Sequence, residues 1–170
     1  MTLVVSVVAL LLAAAAAAPS YSWKLTPSGW GPVRIGMNRI QVSKELQDQL
    51  EGDAFDNEGT CIELSPEREE LKGIYFMFLD GKLSRISVSA PSKVATPRGI
   101  GVGASAGDVR RAYGAGLAAE EHEYLGVPAE YLTFWLKPKK AGVRFETSAE
   151  SKVEIIHAGN DSIQLIEGCA

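Results

Sequence analysis

The stretch Glu120–Glu121–His122–Glu123 offers the densest group of residues that could do chemistry, with one imidazole among three carboxylates. Such a group could collect a cation or supply a general base near neutral pH. Metal sites, however, need ligands that converge at fixed geometry, which neighbours in one loop rarely supply. We therefore interpret the stretch as a solvated turn and predict no metal ion and no cofactor. A small hydrolase or metal-dependent enzyme centred on His122 is the alternative.

Other motifs in the chain fall short of known catalytic or binding patterns. Asp53, Asp56 and Glu58 suggest a calcium loop, but their spacing does not fit an EF-hand. The glycines of residues 99–103 resemble a phosphate loop without its closing Gly–Lys–Ser/Thr. No serine stands in a nucleophile-elbow context. The sequence therefore assigns no catalytic residue, and whether the protein is an enzyme stays open, with a non-catalytic role favoured.

The N-terminus and the cysteines indicate where the chain works. Residues 3–18 are apolar except for Ser6, and this length suits a signal peptide over residues 1–18 better than a membrane span. No Lys or Arg precedes the apolar stretch, so an N-terminal membrane anchor is the alternative. In an exported chain the pair Cys61 and Cys169 predicts one disulfide, whereas a redox pair would favour a CxxC spacing. We expect a periplasmic or secreted protein.

Charge excludes one class of partner. The formal net charge is −4, and the basic residues are scattered apart from a cluster at Lys137, Lys139 and Lys140. That cluster lies between two predicted strands and is typical of a solvated turn. We therefore expect no nucleic-acid partner.

Two stretches of the chain have similar sequences, which indicates an internal duplication. Residues 33–38 read Val-Arg-Ile-Gly-Met-Asn, and residues 100–105 read Ile-Gly-Val-Gly-Ala-Ser. Each ends in a small polar residue, Asn38 or Ser105, with a second polar side chain three positions on. This spacing is typical of a capping box that begins a helix. Ile40, Val42, Leu46 and Leu50 predict an apolar stripe on the first helix.

Alternating apolar residues then predict strands after each helix. In the first copy they cover residues 60–64, 73–79 and 82–89, and in the second residues 130–136, 142–147, 152–158 and 162–167. Asp80–Gly81 is a strong hairpin turn between two of them. We predict an α+β fold of two tandem repeats, each a helix packed on about three antiparallel strands. The domain division is 1–18 signal peptide, 19–93 repeat 1 and 94–170 repeat 2.

Positions that are apolar in both copies should face the helices. They are Ile74 and Val143, Phe76 and Phe145, and Ile86 and Ile156, with Leu132, Phe134 and Leu136 in the same layer. The alternate positions, Ser87 and Glu146 among them, are left on an open sheet face. That face would mix aromatic, Met and Arg side chains, which are the types that interfaces favour. The predicted partner-binding residues are Tyr75, Met77, Arg85, Tyr131, Trp135, Arg144 and His157. We expect a non-catalytic exported protein that binds a protein or an envelope component there. An amphipathic sheet with ordinary exposed side chains and a purely structural envelope role are the alternatives.

Short motifs also resemble known families. Val102–Gly103–Ala104–Ser105, followed by Val109 and Tyr113, resembles the repeat start of the outer-membrane assembly lipoprotein family SmpA/OmlA. It is also similar to that of the β-lactamase-inhibitory proteins. The ending Glu167–Gly168–Cys169 resembles that of exported bacterial proteins without an assigned activity. These resemblances imply tandem helix-plus-sheet repeats rather than a function, and the chain lacks a lipidation cysteine.

Overall fold

The computed structural model describes residues 22–52 and 60–169 of the chain. This part is mostly β, with eleven strands in two sheets and two short α-helices. The strands are β1 Leu25–Thr26, β2 Gly29–Trp30, β3 Val33–Arg34, β4 Leu50–Glu51, β5 Cys61–Pro66, β6 Ile74–Leu79, β7 Lys82–Ser89, β8 Leu117–Glu121, β9 Glu130–Lys137, β10 Ala141–Thr147 and β11 Val153–Gly159. The helices are α1 Arg39–Leu46 and α2 Ala106–Tyr113, and short 3₁₀ helices cover Glu69–Leu71, Gly114–Gly116 and Asp161–Gln164.

The strands form a small sheet and a large one. The small sheet has the order β1-β2-β3, and the large one has the order β4-β5-β6-β7-β11-β10-β9-β8. Every pair of neighbours is antiparallel. Strand β7 pairs with β11 in the middle, so strands from both ends of the chain share one continuous sheet.

The predicted fold of two helix-on-sheet repeats is therefore wrong. Each half of the large sheet has four strands rather than three. The strands of both halves belong to one continuous sheet, not to a separate sheet for each repeat. The sequence pattern missed β4 because two residues are too few to show alternation. It missed β8 because Leu-Ala-Ala-Glu-Glu does not alternate between apolar and polar residues. The predicted last strand, residues 162–167, is instead a 3₁₀ turn over Asp161–Gln164 followed by irregular backbone.

Both helices begin at the predicted caps. The side chain of Asn38 accepts a hydrogen bond from the backbone N–H of Gln41, and the Gln41 side chain accepts one from the N–H of Asn38. Ser105 and Asp108 form the same capping box, and their hydrogen bonds lower the pKa of Asp108. Each cap satisfies backbone donors that the first turn leaves without a partner.

The core lies between one face of the large sheet and the helices with the small sheet. Phe76 and Phe145 are fully buried there, and Tyr113 of α2 packs its ring 5.1 Å from that of Phe145. The predicted inward positions are confirmed at Ile74, Phe76, Ile86, Val143, Phe145 and Ile156, which all belong to the core. Leu136, predicted in the same layer, is 59% exposed because it lies near the end of β9.

Residues 160–169, the C-terminal segment, fold back over the opposite face of the sheet. The Arg85 guanidinium donates to the carbonyl oxygens of Ser162 and Leu165 at 3.2 and 2.8 Å. The predicted disulfide between Cys61 and Cys169 is confirmed, with the two Cα atoms 5.4 Å apart. The segment is thus attached at both ends of its path across the sheet.

Two sequence predictions fall outside the described residues. They are the signal peptide over residues 1–18 and the acidic calcium-type motif at 53–58. Neither helix in the described ranges has the length and apolar character needed to cross a membrane.

Candidate functional site

The antiparallel register brings the predicted binding residues onto one face of the large sheet, here called the polar face. Tyr75 lies opposite Ser87, Ser87 opposite His157, and His157 opposite Arg144. In the neighbouring row Met77 pairs with Arg85, and one row away Glu146 pairs with Tyr131. The period-two pattern of the strands is sufficient to place these residues side by side.

The polar face is not open as predicted. The C-terminal segment and residues 122–129, the 122–129 loop, cover most of it. Met77, Arg85, Tyr131, Arg144 and His157 are buried, Trp135 is half-buried, and Tyr75 is 36% exposed. Sequence alternation identifies a face but does not show that a later segment folds over it.

A close approach explains part of this cover. A Cβ atom on Gly142 would lie 2.5 Å from the Trp135 ring and 2.9 Å from the side chain of Ile163. Glycine on β10 therefore leaves the space that both side chains occupy. The 3₁₀ helix Asp161–Gln164 can settle directly on the strand for this reason.

Glu146 lies at the centre of the polar face and is shared by both histidines. One carboxylate oxygen is 2.9 Å from Nε2 of His122, and the other is 3.6 Å from Nε2 of His157. Burial raises the pKa of Glu146, but the hydrogen bonds with the two histidines outweigh it and hold the pKa below its usual range. Glu146 is therefore an ionised carboxylate at neutral pH.

His122 is buried rather than lying in a solvated turn. Its Nδ1 accepts from the backbone N–H groups of Tyr124 and Leu125 at 3.2 and 3.3 Å. Since Nδ1 accepts, Nε2 carries the proton and donates it to Glu146. Both ring nitrogens are thus engaged, so the imidazole holds the 122–129 loop against the sheet.

Tyr131 lies between His122 and Arg144. The His122 ring stacks on the Tyr131 ring with centroids 4.6 Å apart, and the Arg144 guanidinium lies 4.0 Å from the ring centroid. Arg144 also donates to Glu120 at 2.8 Å and to Thr133 at 3.2 Å. Burial raises the pKa of Tyr131. These predicted binding residues form an internal cation–π stack.

Ser87 and His157 form the second polar contact of the site. Ser87 Oγ lies 2.9 Å from Nδ1 of His157. Burial lowers the pKa of His157 more than its hydrogen bond with Glu146 raises it, so the ring is neutral at pH 7. Ser87 was placed on this face by sequence alternation but was not chosen as a site residue.

Arg85 connects the polar face to the C-terminal segment that covers it. Its Nη2 contacts Glu63 at 3.0 Å, while Nη1 donates to the C-terminal segment. Burial lowers the pKa of Arg85 despite the carboxylate beside it. The guanidinium therefore holds the segment against the sheet. Sequence reasoning treated Arg85 as an open binding residue and missed its partner Glu63.

A cleft of about 400 Å³ remains between the sheet and the C-terminal segment. Its lining is Glu63, Tyr75, Arg85, Ser87, Ser89, Glu146, Ile155, His157, Ile166, Glu167 and Gly168. Three carboxylates therefore face one guanidinium in the cleft. Tyr124 of the 122–129 loop donates its hydroxyl to Glu167, and this bond raises the pKa of Tyr124 to about 12. The two covers thus meet beside the cleft.

The arrangement does not suit a metal ion. Within residues 22–52 and 60–169, no group of three or more His, Cys, Asp and Glu side chains could hold one. Glu146 is instead committed to two imidazoles, and Glu63 to Arg85.

Comparisons of the chain with protein-family models, with curated proteins and with solved structures gave no significant match. The resemblance to the SmpA/OmlA and β-lactamase-inhibitory proteins therefore stays a prediction. The function must be argued from the geometry of the cleft.

Proposed function

We propose that this is a non-catalytic binding protein whose cleft takes a positively charged group of a protein or envelope component. The group is a primary amine or a guanidinium, as on a lysine or arginine side chain. The observation that carries the proposal is the cleft of about 400 Å³, in which Glu146 and Glu167 face solvent-accessible space.

Charge supports a cation over an anion. Arg85 compensates Glu63 at 3.0 Å, and the neutral His157 adds no positive charge. Glu146 keeps its negative charge because its pKa is lowered. The carboxylates of Glu146 and Glu167 each have lone pairs beyond those used in their bonds to His122 or Tyr124. An ammonium group between them would form charge-assisted hydrogen bonds, which are stronger than neutral ones.

The mouth of the cleft suits the same ligand. Tyr75 is the most exposed aromatic residue of the lining, and its ring offers a face to a cation. Ile155 and Ile166 would contact the aliphatic stem of a lysine. A long basic side chain therefore matches both the charged floor and the apolar rim.

The site of action that we propose is the periplasm or the exterior of the cell. The Cys61–Cys169 disulfide fits an oxidising compartment. The proposed signal peptide over residues 1–18 would deliver the chain there, with a cleaved N-terminus as the expected product.

The test is a titration with butylamine, with butyrate and butanol as matched probes. Butylamine should shift the NMR signals of Tyr75, Ser89 and His157 saturably, and the other probes should not. Glu167→Gln should weaken amine binding by about 5-fold or more, since it removes one partner charge. Glu45→Gln, at an exposed position on α1, is the control. Equal shifts with butyrate, or no saturable shift with the amine, would overturn the proposal.

The Ser87–His157 contact favours one second candidate, an acyl hydrolase with Ser87 as nucleophile. The distance of 2.9 Å suits proton transfer from Ser87 to the neutral imidazole. Ser87 lies, however, in a strand flanked on both sides by partners, so its own N–H belongs to the sheet ladder. Such a group does not serve as an oxyanion donor. Covalent labelling by a fluorophosphonate that Ser87→Ala abolishes would put the hydrolase first.

A further inference from the structure

Strand β8 forms one edge of the large sheet. Among the described residues it pairs only with β9, from Leu117 opposite Phe134 to Glu121 opposite Glu130. Its outer edge therefore carries a row of backbone N–H and C=O groups without a strand partner. Such an edge is a template for one more strand.

The side chains of β8 leave this edge accessible. Residues Ala118 to Glu121 are exposed, and the two alanines at its centre are too small to shield the backbone. The opposite edge differs, because β4 has only two residues, Leu50 and Glu51. Five residues of β8 match the usual length of a strand.

Charge decides which strand fits. Glu120 and Glu121 end β8, and Glu123 follows in the loop. Of these three carboxylates, only Glu120 has a cationic partner among the described residues, since Arg144 lies 2.8 Å from it. A second copy of this chain would bring the same carboxylates to the same edge, and the repulsion between like charges disfavours that pairing. A strand that carries lysine or arginine gains attraction instead.

We propose that β8 is a docking edge for an extended basic segment of a partner protein, which adds to the large sheet as a further strand. Backbone hydrogen bonds would supply the affinity, and Glu120, Glu121 and Glu123 the preference for basic side chains. The edge lies three strands away from β11 and His157, and no residue of β8 lines the cleft.

The test uses a blocked peptide of alternating lysine and valine, about 6 residues long, against a matched peptide of glutamate and valine. The basic peptide should bind saturably and slow hydrogen exchange at alternate amides of β8. Backbone N-methylation at one alternate set of peptide positions should abolish binding, and N-methylation at the other set should not. Only strand pairing produces that alternation, because successive N–H groups point to opposite sides.

Protein variants complete the test. Glu121→Lys should weaken the basic peptide by about 5-fold or more, whereas Glu45→Lys on α1 should leave binding unchanged. Equal binding of both peptides, or equal effects of both N-methylated sets, overturns the docking edge. If the peptide shifts only the NMR signals of Tyr75 and His157, the docking edge is overturned and binding in the cleft is supported instead. Concentration-dependent dimers that protect β8 without peptide would show a second copy instead.

Discussion

At the scale of residues, the polar face is a chain of pairwise contacts that meets at Glu146. His122, His157 and Ser87 are connected through this carboxylate or through each other at distances of 2.9 to 3.6 Å. Buried polar groups cost stability unless they are hydrogen-bonded, so each member constrains its neighbours. The geometry of the cleft therefore depends on protonation as well as on packing.

Acid should destabilise the protein through His157. Its pKa is lowered from 6.5 in the fold, because burial and nearby Arg85 disfavour the charged ring, although Glu146 and Glu63 favour it. Between the usual pKa of 6.5 and the lowered pKa of the fold, the unfolded chain binds a proton that the folded chain resists. The free energy of unfolding should therefore fall as pH drops below about 6.5, by at most about 1.4 kcal/mol per pH unit from this group.

Denaturant unfolding at several pH values, with His157→Gln beside the native chain, measures this effect. The variant should show a smaller dependence of stability on pH just below pH 6.5. Glu146 acts in the same direction only below its usual pKa of 4.5, because its own pKa is lowered. Identical slopes for the two proteins just below pH 6.5 would contradict the assignment.

The two phenylalanines of the core give a second test at this scale. Phe76 and Phe145 are both 0% exposed, so Phe76→Ala and Phe145→Ala should each cost about 3–5 kcal/mol by leaving a cavity. Leu136→Ala is the matched control, because Leu136 is 59% exposed and should change stability by less than about 0.5 kcal/mol. Equilibrium unfolding measures all three, and effects below about 1 kcal/mol at both phenylalanines would mean that the core is assigned to the wrong face.

At the scale of elements, the C-terminal segment closes the polar face and is attached by one covalent and several polar contacts. Cys61 and Cys169 are 108 positions apart in the sequence. For a loop of this length, the loop-entropy model predicts that the disulfide stabilises the fold by about 4–5 kcal/mol. Arg85 holds the same segment through two carbonyl oxygens.

Cys169→Ser should therefore lower the free energy of unfolding by about 2–5 kcal/mol and loosen the segment locally. Hydrogen exchange should rise first at residues 160–169, while the amides of β6 and β7 stay protected. Cys61→Ser is the matched variant and should behave alike. Free, alkylatable thiols in the native oxidised protein would refute the disulfide.

Elements also show how far the sequence can be interpreted. Alternation located the cores of β5, β6, β7, β9, β10 and β11 to within about two residues, and the hairpin at Asp80–Gly81 formed as predicted. Short elements lack a period, so β1 to β4 left no readable signal. Ile40 was expected in the apolar stripe of α1 and is 80% exposed, because the helix ends at Leu46 and buries only Val42 and Leu46.

The candidate site was only partly accessible to such reasoning. The seven predicted binding residues were placed on one face by the period-two alternation of side chains, which is a local property of each strand. Their burial depends on where residues 122–129 and 160–169 fold, which involves contacts far apart in sequence. Glu63 and Glu167 became site residues only through those contacts, and no local pattern marks them.

At the scale of the whole molecule, the large sheet joins strands from both halves of the chain through β7 and β11. A fragment of residues 22–93 would expose β7 on one side and lose the helix α2, together with Phe145 and Ile156 from the core. It should therefore be unfolded on its own, with poor dispersion in an NMR spectrum and no cooperative thermal transition. The chain of residues 22–170 is the control. A folded fragment would support the predicted division into two units at residue 93.

The central pairing of β7 with β11 has a kinetic consequence. Most neighbouring strands of the sheet follow one another along the chain, but Ser87 and His157 are separated by 70 residues. Contacts between distant residues form late because the intervening chain must first be ordered. We therefore expect the hairpins to form before the cleft, and binding competence to appear only once β11 has paired with β7.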